Sequence, residues 1–305
     1  MSLNSKAIYT SENNRLLYKT PKGKEFKCIN ELNEEYDIDA TVSDFNSIAK
    51  KFIEESARTR EELNCTLDVP YGPTIAERLD IFHGKPGGPI IIFIHGGYWK
   101  ILTSKEFSFV ARGLVEHGAT VIIPTYALCP GVTIDEIVRQ HRAVVAWTYN
   151  NAKNIGADPE KIVAVGHSVG GHAVAMLFET DWEKEYGLPS NIIRGGCAIS
   201  GLFDLRPLPF TFVQPYLQLT LDQVQRNSPI LNLPESAPNL LVTYGLKQTS
   251  EFTRQSQDFY DAWSAAGLSG ECLTQPDCNH FDELDPLMDS NSELTKKIIN
   301  LLGNS

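Results

Sequence analysis

Positive charge is scarce in this 305-residue chain, with 27 lysines and arginines against 38 aspartates and glutamates and a formal net charge of −11. That deficit removes the basic surface on which duplex nucleic-acid binders and proteins held on anionic lipid depend, so no nucleic-acid partner is expected. Long hydrophobic runs are lacking as well. Stretches such as Ile90 to Ile94 fall far short of the ~20 apolar residues of a membrane span, and Met1 to Lys6 carry no apolar core resembling a signal peptide. A cytoplasmic protein without membrane attachment is expected. The six cysteines, Cys28, Cys65, Cys129, Cys197, Cys272 and Cys278, include no C-x-x-C pair and are expected to be reduced. Compositional bias is missing too: 42% hydrophobic and 21% charged residues describe an ordinary globular chain, long enough to bury one large core.

From Glu77 onwards, apolar strand-like runs alternate with amphipathic helical segments, the signature of an α/β fold with a mostly parallel sheet covered by helices on both faces. Strands are expected at Arg78 to Phe82, Ile90 to Ile94, Ala119 to Ile123, Lys161 to Val165, Ile193 to Ile199, Asn239 to Tyr244 and Glu271 to Gln275. A helix should start at Thr133 with a capping box to Glu136, and another should run from about Ser250 to a stop at Gly267. Residues 1–67 are expected to form a helical extension packed on a 68–305 main domain, through a helix presenting Phe45, Ile48, Ala49, Phe52 and Ile53. That extension leaves a homodimer open. Prolines and aromatics thicken near 202–234, where a cap-like segment with Phe210, Phe212 and Tyr216 is expected to interrupt regular structure.

The chemistry concentrates at the ends of two strands. Lys161-Ile-Val-Ala-Val-Gly166-His-Ser168-Val-Gly170 is a strand, a G-x-S-x-G and the start of a helical run, which together make a nucleophile elbow. Glycines are needed there because a sharp strand-to-helix turn crowds the backbone around the serine. Ser168 is therefore the candidate nucleophile. Ile90 to Ile94 runs into His95-Gly96-Gly97-Tyr98-Trp99, whose unhindered backbone N–H groups suit an oxyanion hole formed by Gly96, Gly97 and Tyr98 with Val169. Tyr98, Trp99, Phe210 and Phe212 are candidates for the substrate pocket. The general base should come last in the chain, after the final strand, and His280 stands there. His83, His117 and His141 read as surface residues, while His167 and His172 read as structural neighbours of the serine. They lack the glutamate of a zinc-binding H-E-x-x-H, so no metal is expected.

The triad acid should follow the strand Asn239 to Tyr244, but Gln248 occupies that place. An amide oxygen can accept the histidine N–H, yet it brings no charge, and its NH₂ could hold the ring in the wrong tautomer. Glu251 is the nearest alternative, expected in the exposed first turn of a helix. Asp204, in Ser200-Gly-Leu-Phe-Asp204, reads as a structural residue supporting the pocket.

Four features, His95-Gly-Gly-Tyr-Trp99, Gly166-His-Ser-Val-Gly170, Ser200-Gly-Leu-Phe-Asp204-Leu-Arg-Pro207 and Asn279-His280-Phe281, carry a resemblance that spans roughly residues 68 to 302. The chain resembles the kynurenine formamidase (arylformamidase) group of the α/β-hydrolase fold, near the hormone-sensitive-lipase-like esterases. The resemblance implies cofactor-free hydrolysis of N-formylkynurenine or related aryl amides and esters, with Ser168 as nucleophile, His280 as base and oxyanion donors at Gly97, Tyr98 and Val169. It also implies an aspartate or glutamate where Gln248 stands. Two alternatives then remain open: a weakened variant that holds substrate without turning it over, or a natural homologue whose activity is lost or altered. General carboxylesterase or other amide hydrolase activity, and a non-catalytic ligand-binding role, are the competing expectations.

Overall fold

The computed structural model describes residues 16–303. Among the described residues are ten strands: β1 (Tyr18–Lys19), β2 (Glu25–Phe26), β3 (Cys65–Pro70), β4 (Arg78–Phe82), β5 (Gly88–Ile94), β6 (Thr120–Thr125), β7 (Ala157–His167), β8 (Gly195–Ile199), β9 (Asn239–Gly245) and β10 (Gly270–Gln275). The first two form a small hairpin, and the other eight form one sheet in the order β10-β9-β8-β7-β5-β6-β4-β3. Pairing is parallel from β10 through to β6 and antiparallel at β4 and β3. Side chains alternate faces along a strand, so full burial of every residue from Ile90 to Ile94 means that both faces of β5 are covered. This is the mostly parallel, doubly covered sheet that the alternating pattern predicts, in the α/β-hydrolase arrangement that the resemblance implies. No helix among the described residues is long and apolar enough to cross a membrane.

The order of the strands positions the site. From β5 the chain passes to β6 on one side and then to β7 on the other, so β5 and β7 are neighbours at the point where the winding reverses. Crevices form at the carboxyl ends of strands at such a switch point. The pairing of Ile94 with Gly166 brings the loop after β5 against the turn after β7.

Some local expectations are revised. Thr133 does cap helix Ile134–Asn151, accepting from the Glu136 N–H. The Glu136 carboxylate, however, turns to Arg139 and Gln140, so the reciprocal half of the capping box does not form. β3 falls in a stretch with no clear strand pattern, because an edge strand paired on one side alone keeps four of its residues exposed. His141 is not a surface residue: it is 1% exposed, on the inner face of helix Ile134–Asn151, with its ring edge-on to Tyr126.

Residues 29–62 form two helices, Ile29–Tyr36 and Phe45–Glu62. The first is tied to helix Ser250–Ala265: Tyr36 Oη donates to Glu251 (3.0 Å), and Thr249 Oγ1 donates to the Glu35 carbonyl (2.6 Å). The second sets Phe52 between Phe107 and Phe109.

Candidate active site

Ser168 stands between β7 and helix Val169–Phe178 with φ 57° and ψ −120°, a conformation that only a crowded, over-determined turn sustains. The turn is tight because the backbones nearly touch. A Cβ at Gly170 would overlap the Ile94 carbonyl oxygen, and one at Gly166 would overlap the Gly170 carbonyl oxygen. The Ser168 N–H donates to the Ile199 carbonyl at the end of β8, fixing the turn against the sheet (2.8 Å). As the first residue of its helix, Val169 has an N–H with no intrahelical acceptor.

The loop after β5 faces this turn. Gly97 takes φ 114°, and Tyr98 and Trp99 follow at 50° and 56°. Gly96, Gly97 and Tyr98 border the same cavity as Ser168, His167 and His280, a space of about 310 Å³. Its walls are largely aromatic and aliphatic, with Phe45, Ile48, Ile53, Phe107, Phe212 and Phe281 among them and Asp37, Asp39 and Lys100 adding charge.

Two of the four residues expected in the pocket lie elsewhere. Trp99 is fully buried, edge-on to His172, because the left-handed backbone after Gly97 turns its ring under the loop. Phe210 is outside the cavity on a short turn, while Phe212, two residues on, meets the Tyr98 ring at 5.9 Å. Much of the wall comes instead from helix Phe45–Glu62, whose apolar face reads in the sequence as ordinary core.

His280 follows β10 and is 1% exposed, with the Phe252 ring 4.5 Å away and Phe281 5.7 Å away. Lys247 N–H donates to the Cys278 carbonyl, drawing the loop after β9 towards the loop after β10 (2.9 Å). Gln248 Oε1 then lies 2.9 Å from His280 Nδ1. The Gln248 amide cannot be turned round, because its nitrogen donates to the Gly245 carbonyl (2.8 Å), which only accepts, and to Ser200 Oγ (2.9 Å). Nδ1 of His280 therefore carries the hydrogen, and Nε2, buried and without a partner, is left with its lone pair. The feared wrong tautomer does not arise. Burial, reinforced by His167, holds His280 well below the ordinary histidine range and so in its basic form.

Neither alternative carboxylate serves His280. Glu251 is buried rather than exposed, held by Arg254 (2.8 and 2.9 Å) and Tyr36. Asp204 is clamped by Arg206 (2.8 and 2.9 Å) and by Tyr18 Oη (2.7 Å). A third carboxylate, absent from the sequence reading, does reach the site. Glu283 is fully buried, with Oε1 3.7 Å from His280 Nδ1. Its sequence setting, Asp282-Glu283-Leu284-Asp285, looks like a solvated acidic turn, and only its i+3 spacing from His280 hints otherwise.

His167, His280 and Glu283 converge closely enough to invite a metal. The two nitrogens facing Glu283 are Nε2 of His167 and Nδ1 of His280. Each also faces an acceptor-only oxygen, the His280 carbonyl (2.8 Å) and Gln248 Oε1. Both carry hydrogens and so offer no lone pair to an ion.

Comparison with known proteins places the chain among hydrolases. The BD-FAE family matches residues 79–192. A kynurenine formamidase of Danio rerio is 32% identical over 256 residues, covering 81% of this chain and 85% of that protein. The structure of a protein from Silicibacter sp. TM1040 assigned as a thioesterase superposes with TM-score 0.76 at 28% identity, over 88% of this chain and 99% of that one. An esterase of the archaeon Pyrobaculum calidifontis shares the fold at TM-score 0.67 and 15% identity, covering 90% and 96%.

Proposed function

The chain belongs to the kynurenine formamidase family of α/β-hydrolases, and from that premise we propose that it cleaves small aryl amides and esters, N-formylkynurenine foremost, through an acyl-enzyme on Ser168. The observation that carries this reading is the shared cavity: Ser168, His280 and the Gly96 to Tyr98 loop open onto one aromatic-walled space of about 310 Å³. Its size suits a single-ring substrate. The charged Asp37, Asp39 and Lys100 on its walls suit an amino-acid moiety beyond the ring.

In the proposed reaction, Ser168 Oγ attacks the formyl carbon as its proton passes to His280 Nε2. The N–H groups of Gly97, Tyr98 and Val169 hold the oxyanion. The C–N bond then breaks, His280 returns the proton to the departing aryl amine, and a formyl ester remains on Ser168. Water, deprotonated by His280, attacks that ester, releasing formate and restoring the serine. Gln248 keeps the ring in the required tautomer but brings no charge to the imidazolium. Removing the equivalent charge from a serine protease costs ~10⁴ in kcat, so an unassisted Gln248 would leave a badly impaired enzyme.

The test is kcat/KM on N-formylkynurenine beside p-nitrophenyl acetate, with fluorophosphonate labelling of the parent and Ser168→Ala. Labelling of the parent alone, and loss of turnover in Ser168→Ala, is the expected result. Ligand binding without labelling or turnover would assign the chain to the non-catalytic class. A preference for the acetate ester would make it a carboxylesterase.

A further inference from the structure

We infer that Glu283 supplies the negative charge of the triad, acting on His280 as a positioning residue at 3.7 Å while Gln248 does no more than fix the tautomer. The inference rests on the proposed serine-hydrolase reading.

Glu283 lies in the short 3-10 helix Asp282–Met288, three residues beyond His280, and its side chain is fully buried. Every polar group around it donates. Oε2 accepts from the Gly245 N–H and from Ser200 Oγ, both at 2.7 Å. Ser200 has one proton to give and already receives the Gln248 amide, so that proton goes to Glu283. Oε1 accepts from Nε2 of His167 at 3.1 Å, a nitrogen shown to be protonated by the His280 carbonyl beside it. A carboxylate surrounded by three donors is held in its ionised form. Burial pushes the carboxyl above its ordinary value, and these bonds oppose that rise in favour of the ionised form without cancelling it.

No lysine or arginine among the described residues pairs with Glu283; its ion-pair partners are the two histidines. The resting site therefore holds an unneutralised buried anion, which is costly until a cation forms beside it. Transfer of the Ser168 proton to His280 Nε2 makes that cation, with Nδ1–H hydrogen-bonded to Gln248 Oε1 and facing Glu283 Oε1. The stabilisation appears in the transition state rather than in the ground state, which is where it raises kcat. Gln248, Ser200 and Glu283 thus form one relay: Gln248 Nε2–H to Ser200 Oγ, and Ser200 O–H to Glu283. The neutral residue at position 248 is compatible with a working triad because the charge has moved to position 283.

The experiment compares the parent with Glu283→Gln, Gln248→Glu and the double variant, measuring kcat, KM, Tm and the pH profile of kcat/KM on p-nitrophenyl acetate and N-formylkynurenine. Glu283→Gln is expected to lose ~10²-fold or more in kcat with KM within ~3-fold. Its acid limb should move to lower pH, since loss of the anion disfavours the imidazolium. Gln248→Glu sets a second carboxylate beside the first, so it should gain no more than ~10-fold and move the acid limb upward. In the double variant the carboxylate at 248 should recover at least ~10-fold over Glu283→Gln, a rescue that a purely structural role for Glu283 would not give. A Glu283→Gln rate within ~3-fold of the parent, or a gain of ~10²-fold or more in Gln248→Glu alone, would overturn the inference. The Gln248→Glu arm leaves Glu283 in place, so it decides even if Glu283→Gln lowers the Tm below assay temperature. Turnover that survives Ser168→Ala would instead overturn the serine-hydrolase reading, whatever Glu283 does.

Discussion

At position 97 an added methyl group would meet the Ile101 carbonyl oxygen, and φ of 114° is a region that L side chains avoid. Gly97→Ala must therefore shift the loop carrying the Gly97 and Tyr98 N–H groups. Loss of one oxyanion donor costs ~10² to 10³ in kcat, and a fall of that size on p-nitrophenyl acetate, with KM within a few-fold, is the expected result. An unchanged kcat would move the oxyanion donors away from this loop. The same backbone explains the neighbouring residues. Tyr98 and Trp99 share a left-handed conformation, yet Tyr98 borders the cavity with its hydroxyl donating to the Tyr36 carbonyl, while Trp99 is buried beneath. A His-Gly-Gly-Tyr-Trp run marks the loop in the sequence but does not show which aromatic ring faces substrate.

Helix Phe45–Glu62 divides its apolar face between two jobs. Phe52, 9% exposed, borders the cavity while packing against Phe107 and Phe109, whereas Ile53, 55% exposed, lines the cavity without being packed into the core. Phe52→Ala is expected to cost ~3 kcal/mol or more in urea unfolding, as for other buried phenylalanines. Ile53→Ala should leave the urea midpoint nearly unchanged and raise KM several-fold for N-formylkynurenine; the reverse pattern would make the helix ordinary core. Periodicity finds such a helix because the spacing of apolar residues is local. It cannot say whether those residues meet other side chains or an empty cavity, since that depends on Phe281 and Phe212 from distant segments. Strands β4 to β9 were legible for the same local reason, as short runs of largely buried residues, and so was the elbow at Ser168, whose glycines crowd into a few consecutive positions. Glu283 was not. Its place is set by Gly245, Ser200 and His167, which arrive from the ends of three different strands, and an acidic residue among other acidic residues gives no local sign of burial.

The whole molecule folds around unprotonated imidazoles. Burial pushes His95 and His172 down to about 4 and lowers His141 and His280 well below the ordinary histidine value. All four have at least one ring nitrogen without a hydrogen-bond partner, and His141 has two. For a base whose pKa is depressed by folding, the stabilisation is complete above the unfolded value near 6.5 and is lost as pH falls towards the folded value, because only the unfolded chain takes up the proton. Two buried carboxyls act the other way: Glu179, raised to about 8, and Glu283, also raised, both contribute stability that fades as pH rises. The four histidines leave the unfolded state binding more protons from about pH 6.5 downwards, a difference that these carboxyls and the raised Asp39 and Asp282 offset in part. The urea midpoint should therefore fall steadily from pH 7 to pH 5, before carboxylates held low by their partners, such as Glu77 and Asp135, begin to titrate. His141→Gln removes one of these proton sites at a distance from Ser168 chemistry, so its midpoint should depend less steeply on pH by about one proton. Equal slopes in parent and variant would show that His141 is protonated alike in the folded and unfolded chain, and so that its ring is solvated rather than dry.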